Sequence, residues 1–114
     1  MQIEPCQHAP VQVVTVSSRD REQAAAMFRA LGDPARLLLM ELLSQGERCV
    51  SELALQTGQE ISTISQRLKV LRAERLIVRR RDGKHIYYAL ADKHVMDLVQ
   101  SALEHAGEPM TEEH

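Results

Sequence analysis

Four side chains near the end of this chain have the chemistry of a metal site. Asp92, His94, His105 and Glu108 lie in the run DKHVMDLVQSALEHAGE, and two imidazoles with two carboxylates make a closed N/O set of the kind tetrahedral zinc takes. The run is patterned as one amphipathic helix, with Val95, Leu98, Val99, Ala102, Leu103 and Ala106 recurring at i, i+3, i+4 and i+7. His94 and His105 fall on nearly the same face. At a rise of about 1.5 Å per residue, however, they stand roughly 16 Å apart along the axis. Zinc reaches its ligands at only about 2.0–2.2 Å, so one helix cannot close the site. Two copies packed antiparallel can, with Asp92 and His94 of one chain meeting His105 and Glu108 of the other. A two-fold axis then gives two equivalent sites per dimer.

Zinc is the favoured ion, with cobalt and cadmium as further candidates; nickel prefers more ligands than this set supplies. No ligand position is left for an activated water, and no nucleophile–base pair stands out elsewhere, so a zinc enzyme is disfavoured. Imidazoles ligate only when neutral, so affinity is expected to fall as the solution becomes acid.

The elements that must position this helix fit one small domain of 114 residues. A chain this short gains stability when a dimer interface buries further surface. Two cysteines are too few for a disulfide framework. No basic segment followed by an apolar run resembles a signal peptide, and no stretch approaches the roughly 18–20 apolar residues of a membrane span. A cytoplasmic protein without membrane contact is expected.

Residues 1–17 contain Pro5 and Pro10 and no helical period, which predicts a flexible N-terminal arm, although VQVVTV has strand character. Residues 18–108 form the folded domain and 109–114 a flexible tail. Ser18 or Asp20 caps a first helix whose apolar face is Ala24, Met27, Phe28 and Leu31, and Gly32 ends it. Asp33-Pro34 opens a second helix, an N-cap followed by proline at the first helical position. Leu37 to Leu43 is apolar almost all round, which marks this helix as the buried centre, and Gly46 stops it. CVSELALQTG reads as a short helix capped by Ser51 and closed by Gly58. Ile61, Ile64, Leu68 and Leu71 give the next helix its inner face. LIVRR and HIYYAL, joined through Asp82-Gly83, read as a β-hairpin.

Helix, turn, helix and a basic hairpin is the winged helix-turn-helix order, a mainly α (α+β) fold. The formal charge of −2 conceals a local excess. Between Ser62 and His85 stand eight basic residues (Arg67, Lys69, Arg72, Arg75, Arg79, Arg80, Arg81 and Lys84) against Glu74 and Asp82 alone. That is the electrostatic footprint of a nucleic-acid surface within an acidic chain. Ser62, Thr63, Ser65, Gln66, Lys69 and Arg72 on the outer face of the second helix of the pair can meet base edges or phosphates in a major groove. Arg79, Arg80, Arg81 and Lys84 on the wing can reach backbone or minor groove.

From about Ala25 to Glu108 the chain resembles the ArsR/SmtB metal-sensing repressors. The likeness is carried by ALGDPARLLLMELL, CVSEL, SQRLKVLRAERLIVRRRDGKHIYYAL and the DKH…EHAGE helix. The zinc-sensing branch of that family pairs an Asp-x-His with a His-x-x-Glu or His-x-x-His on C-terminal helices, which implies Asp92, His94, His105 and Glu108 as intersubunit ligands here. The resemblance further implies a homodimeric winged helix whose metal-free form holds palindromic operator DNA. Its zinc form lets go, derepressing genes for metal efflux or sequestration. It also suggests a link from His105 to the backbone near Arg75.

Thiol-sensing members of the family carry Cys-Val-Cys-Asp together with arm cysteines. Here the segment reads Cys49-Val50-Ser51-Glu52, one thiolate short, which makes an arsenite sensor a poor fit. Cys6 and His8 of the arm with Cys49 and Glu52 would form a mixed S/N/O site suited to zinc more than to soft ions. The alternative to the α-helical zinc site is a winged-helix repressor that answers to thiol oxidation or soft metals through Cys6 and Cys49.

Overall fold

Asp33 and Pro34 start the helix on which the domain is built. In the computed structural model, which describes residues 9–10 and 15–110, the Asp33 carboxylate accepts the Arg36 N–H at 3.0 Å, and Pro34 follows as the first helical residue of α2 (Pro34–Ser44). α2 delivers Leu39, Met40 and Leu43 to the core. The preceding helix α1 (Ser18–Leu31) is joined to it through Arg36, whose Nε donates to Ala30 O at 2.7 Å. That bond satisfies one of the carbonyls a helix end leaves free. α1 is capped by Ser17, whose hydroxyl accepts the Asp20 N–H at 3.1 Å, and not by Ser18 or Asp20.

β1 (Arg48–Cys49) leads into α3 (Val50–Thr57), and α4 (Ile61–Ala73) completes the helix-turn-helix. Cys49 and not Ser51 is the N-cap of α3. Glu52, at the third helical position, accepts the Cys49 N–H at 3.1 Å in a capping box. Gly58 ends α3 in the left-handed conformation at φ +70°, where a glycine has no Cβ to strain. On α4 the buried positions are Ile64, Leu68 and Leu71; Ile61, expected on the same face, is 56% exposed.

The wing is β2 (Ile77–Asp82) and β3 (His85–Leu90), joined at Gly83-Lys84 with Gly83 at φ +62°. β3 is central in a three-stranded antiparallel sheet of order β1-β3-β2. Ile77 pairs with Leu90, Arg79 with Tyr88, Arg80 with Tyr87 and Asp82 with His85, while β1 adds Arg48 opposite Tyr88 and Cys49 opposite Tyr87. β1 is too short to announce itself in sequence.

α5 (Lys93–Ala106) closes the domain. Val95 and Val99 are buried against the core and Leu103 is half-buried, whereas Ala102 and Ala106 on the same stripe are exposed. Leu98, Val99 and Ala102 line an apolar groove with Phe28, Leu31 and Leu37. Phe28, expected in the core, is 60% exposed there. No described helix is long and apolar enough to cross a membrane.

Candidate metal centre and DNA-reading surface

The predicted ligands stand as two pairs at the two ends of α5. Asp92 is the N-cap: its Oδ1 accepts the Val95 N–H at 3.0 Å and lies 3.8 Å from His94 Nδ1. At the other end His105 Nδ1 lies 3.6 Å from Glu108 Oε2, where Gly107 turns the chain out of the helix with its N–H bonded back to Leu103 and Glu104. The side chains are open to solvent, 98% for His94 and 86% for His105. Among the described residues no three His, Cys, Asp or Glu side chains gather within one chain. Each end therefore offers half of a four-ligand set, and the donor types fit zinc.

Of the second set, Cys6 and His8 lie outside the described residues, together with most of the VQVVTV run and residues 111–114 of the tail. Cys49 is a half-buried free thiol with Sγ 3.2 Å from Ser51 Oγ. The Glu52 carboxyl is held below the ordinary glutamate range, first by the Cys49 backbone N–H and then by its thiol. It already serves the cap of α3.

The surface expected to read DNA is assembled largely as its spacing predicts. Ser62, Ser65, Gln66, Lys69 and Arg72 are exposed on α4 opposite its buried face, with Thr63 half-buried. Arg79 and Arg81 are exposed on one face of β2, and Arg79 lines a cleft with Arg72 and Arg75 from the end of α4. Lys84 is exposed at the wing tip.

Arg80 differs from its neighbours. Strand alternation turns it to the other face of the wing, where its Nε donates to Glu47 Oε2 at 2.9 Å and its Nη2 to Glu47 Oε1. Its guanidinium carbon sits 4.9 Å from the centre of the Tyr87 ring. Sequence reasoning grouped Arg80 with Arg79 and Arg81 and passed over Glu47 and Tyr87; the two-residue period of the strand was the signal that separates them. Arg75, counted in the sequence among the basic residues, takes φ +59° at the end of α4, and its side chain lines a cleft with Asp20, Gln23, Asp92 and His94.

Residues 33–78 match the family model described as bacterial regulatory protein, arsR family. The chain is 42% identical over 98 residues to the transcriptional repressor SmtB homolog of Synechocystis, covering 86% of this chain and 74% of that protein. To a cadmium resistance transcriptional regulatory protein, the CadC homolog of Staphylococcus aureus, it is 36% identical over 85 residues, 74% of this chain and 70% of the relative. A homodimeric winged helix-turn-helix DNA-binding domain from Mycobacterium bovis superposes with a TM-score of 0.74 at 33% identity, over 82% of this chain and 90% of that one. Fold and family together define a winged helix-turn-helix protein that binds DNA and regulates transcription, and not an enzyme. The chain belongs to the arsR family of bacterial regulatory proteins.

Proposed function

We propose that this protein is a zinc-responsive repressor. Its metal-free dimer holds a palindromic operator, and zinc held by Asp92 and His94 of one subunit with His105 and Glu108 of the partner subunit causes release, derepressing genes of metal efflux or sequestration. The observation that carries this reading is the pair of exposed two-ligand half-sites at opposite ends of α5, beside an apolar groove along the same helix. The cadmium-resistance relative supports a metal signal of some kind.

Bound there, zinc supplies a cross-link between the two α5 helices. The protein's own part is to hold two dimer shapes, one whose α4 helices match both operator half-sites and one whose α4 helices do not. Ser62, Thr63, Ser65, Gln66, Lys69 and Arg72 read the major groove, while Arg79, Arg81 and Lys84 hold phosphates. Coupling is reciprocal, so the operator weakens zinc binding by the factor that zinc weakens operator binding, typically about 1–3 kcal/mol.

The test is a zinc titration followed by operator-binding anisotropy, on the native dimer, on dimer with thiols blocked, and on His105→Ala. One zinc per chain with loss of operator affinity is expected in the first two. His105→Ala should bind operator as the native dimer does and ignore zinc. Release of His105→Ala by zinc would refute the assignment, and loss of the response on thiol blocking would move the regulatory site to Cys49.

A further inference from the structure

The three consecutive arginines of β2 look equivalent in sequence, but the sheet divides them. Arg79 and Arg81 project from the face that carries Tyr88 and Ile86, their cross-strand partners. Arg80 projects from the opposite face beside Tyr87, with Cys49 of β1 on Tyr87's other flank. Two nitrogens of the Arg80 guanidinium are engaged in hydrogen bonds, and a second carboxylate and a ring lie nearby. Nε and Nη2 form a fork on the Glu47 carboxylate, Nη1 is 3.9 Å from Asp82 Oδ2, and the plane lies over the Tyr87 ring at 4.9 Å. Bidentate pairing combined with ring stacking is the geometry arginine holds better than lysine.

Glu47 belongs to the turn between α2 and β1, whereas Arg80 is two residues from the end of β2. The fork therefore joins the body of the domain to the outer half of the hairpin, across 33 residues of sequence. β1 anchors β3 as far as Tyr87; beyond that pair the wing is a two-stranded ribbon, and such a ribbon is freer to twist and roll. A strut on one face fixes that roll, and with it the aim of the other face.

We propose that Arg80 is a positioning residue, not a phosphate contact: locked to Glu47 and Tyr87, it sets the roll of the wing so that Arg79 and Arg81 face the DNA backbone. The Glu47 carboxyl is held below its ordinary range chiefly by the Arg80 side chain. This inference rests on the reading that the wing touches DNA.

Counterion release separates the two roles. Each phosphate contact removed lowers the slope of log K against log salt by about 0.9, and a dimer loses two at a time. The experiment measures binding of the metal-free dimer to random-sequence duplex DNA over a range of salt, for Arg79→Gln, Arg80→Gln, Arg80→Lys, Arg81→Gln, Glu47→Gln and the Arg80→Gln/Glu47→Gln pair. Arg79→Gln and Arg81→Gln should flatten the slope. Arg80→Gln and Arg80→Lys should weaken binding several-fold with the slope kept. Glu47→Gln should weaken it equally, and the double variant no further. That result is diagnostic, because removing an acidic charge beside DNA would otherwise strengthen binding.

A flattened slope for Arg80→Gln with Arg80→Lys behaving as the native protein would make Arg80 a phosphate contact and overturn the proposal. Tighter DNA binding by Glu47→Gln would overturn it too. If Arg79→Gln and Arg81→Gln leave the slope untouched, the wing does not touch DNA, and the reading beneath the proposal is what fails.

Discussion

Asp92 caps α5, its Oδ1 accepting the Val95 N–H, and in the proposed zinc site the same carboxylate is a ligand beside His94, 3.8 Å away. The two duties respond differently to substitution. Asn caps a helix about as well as Asp, whereas Ala costs about 1 kcal/mol. Asp92→Asn should therefore keep most of the native stability and lose zinc affinity, while Asp92→Ala loses both; urea unfolding beside a zinc titration checks this. Equal stability losses would mean that the charge at the helix terminus, not the hydrogen bond, carries the cap. At this scale the pairing of Asp92 with His94 and of His105 with Glu108 was legible, because each pair is two or three residues apart at one end of a helix. The caps were less so. Ser17 and Ser18 are chemically identical candidates, and only the backbone, extended at Ser17 (φ −66°, ψ 150°), chooses between them. Cysteine is an unusual cap, so Ser51 looked better than Cys49, although Glu52 three residues beyond Cys49 is the spacing of a capping box.

Among the elements, α3 and α4 each end or begin on a residue that departs from the commonest choice. α3 relies on an ionised Glu52 against the Cys49 N–H. A carboxyl whose folded pKa is depressed contributes stability that is present above its unfolded value and lost as the pH falls through its folded value. The neutral isostere Glu52→Gln should thus be less stable than the native protein near neutrality, and the gap should close as the pH drops below the ordinary glutamate value of 4.5. Urea midpoints at a series of pH values measure it; a gap independent of pH would show that the charge contributes nothing. α4 ends in a Schellman motif, with Arg75 N–H bonded to Arg72 O and Leu76 N–H to Leu71 O, each at 3.0 Å. The left-handed position there is held by Arg75 where glycine is usual. A non-glycine residue in that conformation costs roughly 1–2 kcal/mol, part of which glycine returns as chain entropy. Arg75→Gly should raise the unfolding free energy by about 1 kcal/mol, read as a higher urea midpoint. A lower midpoint would mean that the Arg75 side chain, in its cleft with Asp92, contributes more than its backbone costs. Helix existence and type were readable from periodicity and from Asp33-Pro34. Ile61 was misplaced because, at the first position of α4, it lies beyond the reach of the core that buries Ile64.

For the molecule as a whole, the length of α5 is the decisive dimension. It separates the two proposed ligand pairs by far more than a metal ion can bridge, and the apolar groove along Leu98 and Ala102 runs between them. The separation of the two pairs and the apolar stripe between them were legible in sequence, since each follows from a 3.6-residue period. What was not legible is how the core divides the stripe of α5, burying Val95 and Val99 while leaving Ala102 and Ala106 outside. That division depends on helices distant in sequence. If the site is shared, it obeys an arithmetic that an intrachain site does not. A homodimer of Asp92→Ala/His94→Ala has two broken sites, and so has a homodimer of His105→Ala/Glu108→Ala. In a heterodimer of the two variants, both sets of substitutions fall in the same site. The other site combines the intact Asp92 and His94 of one subunit with the intact His105 and Glu108 of its partner subunit. Purified through two different affinity tags, that heterodimer should bind one tight zinc where the native dimer binds two, and each variant homodimer none. An intrachain site would leave the heterodimer as empty as its parents. A heterodimer that binds no zinc while remaining dimeric in sedimentation would therefore overturn the shared site.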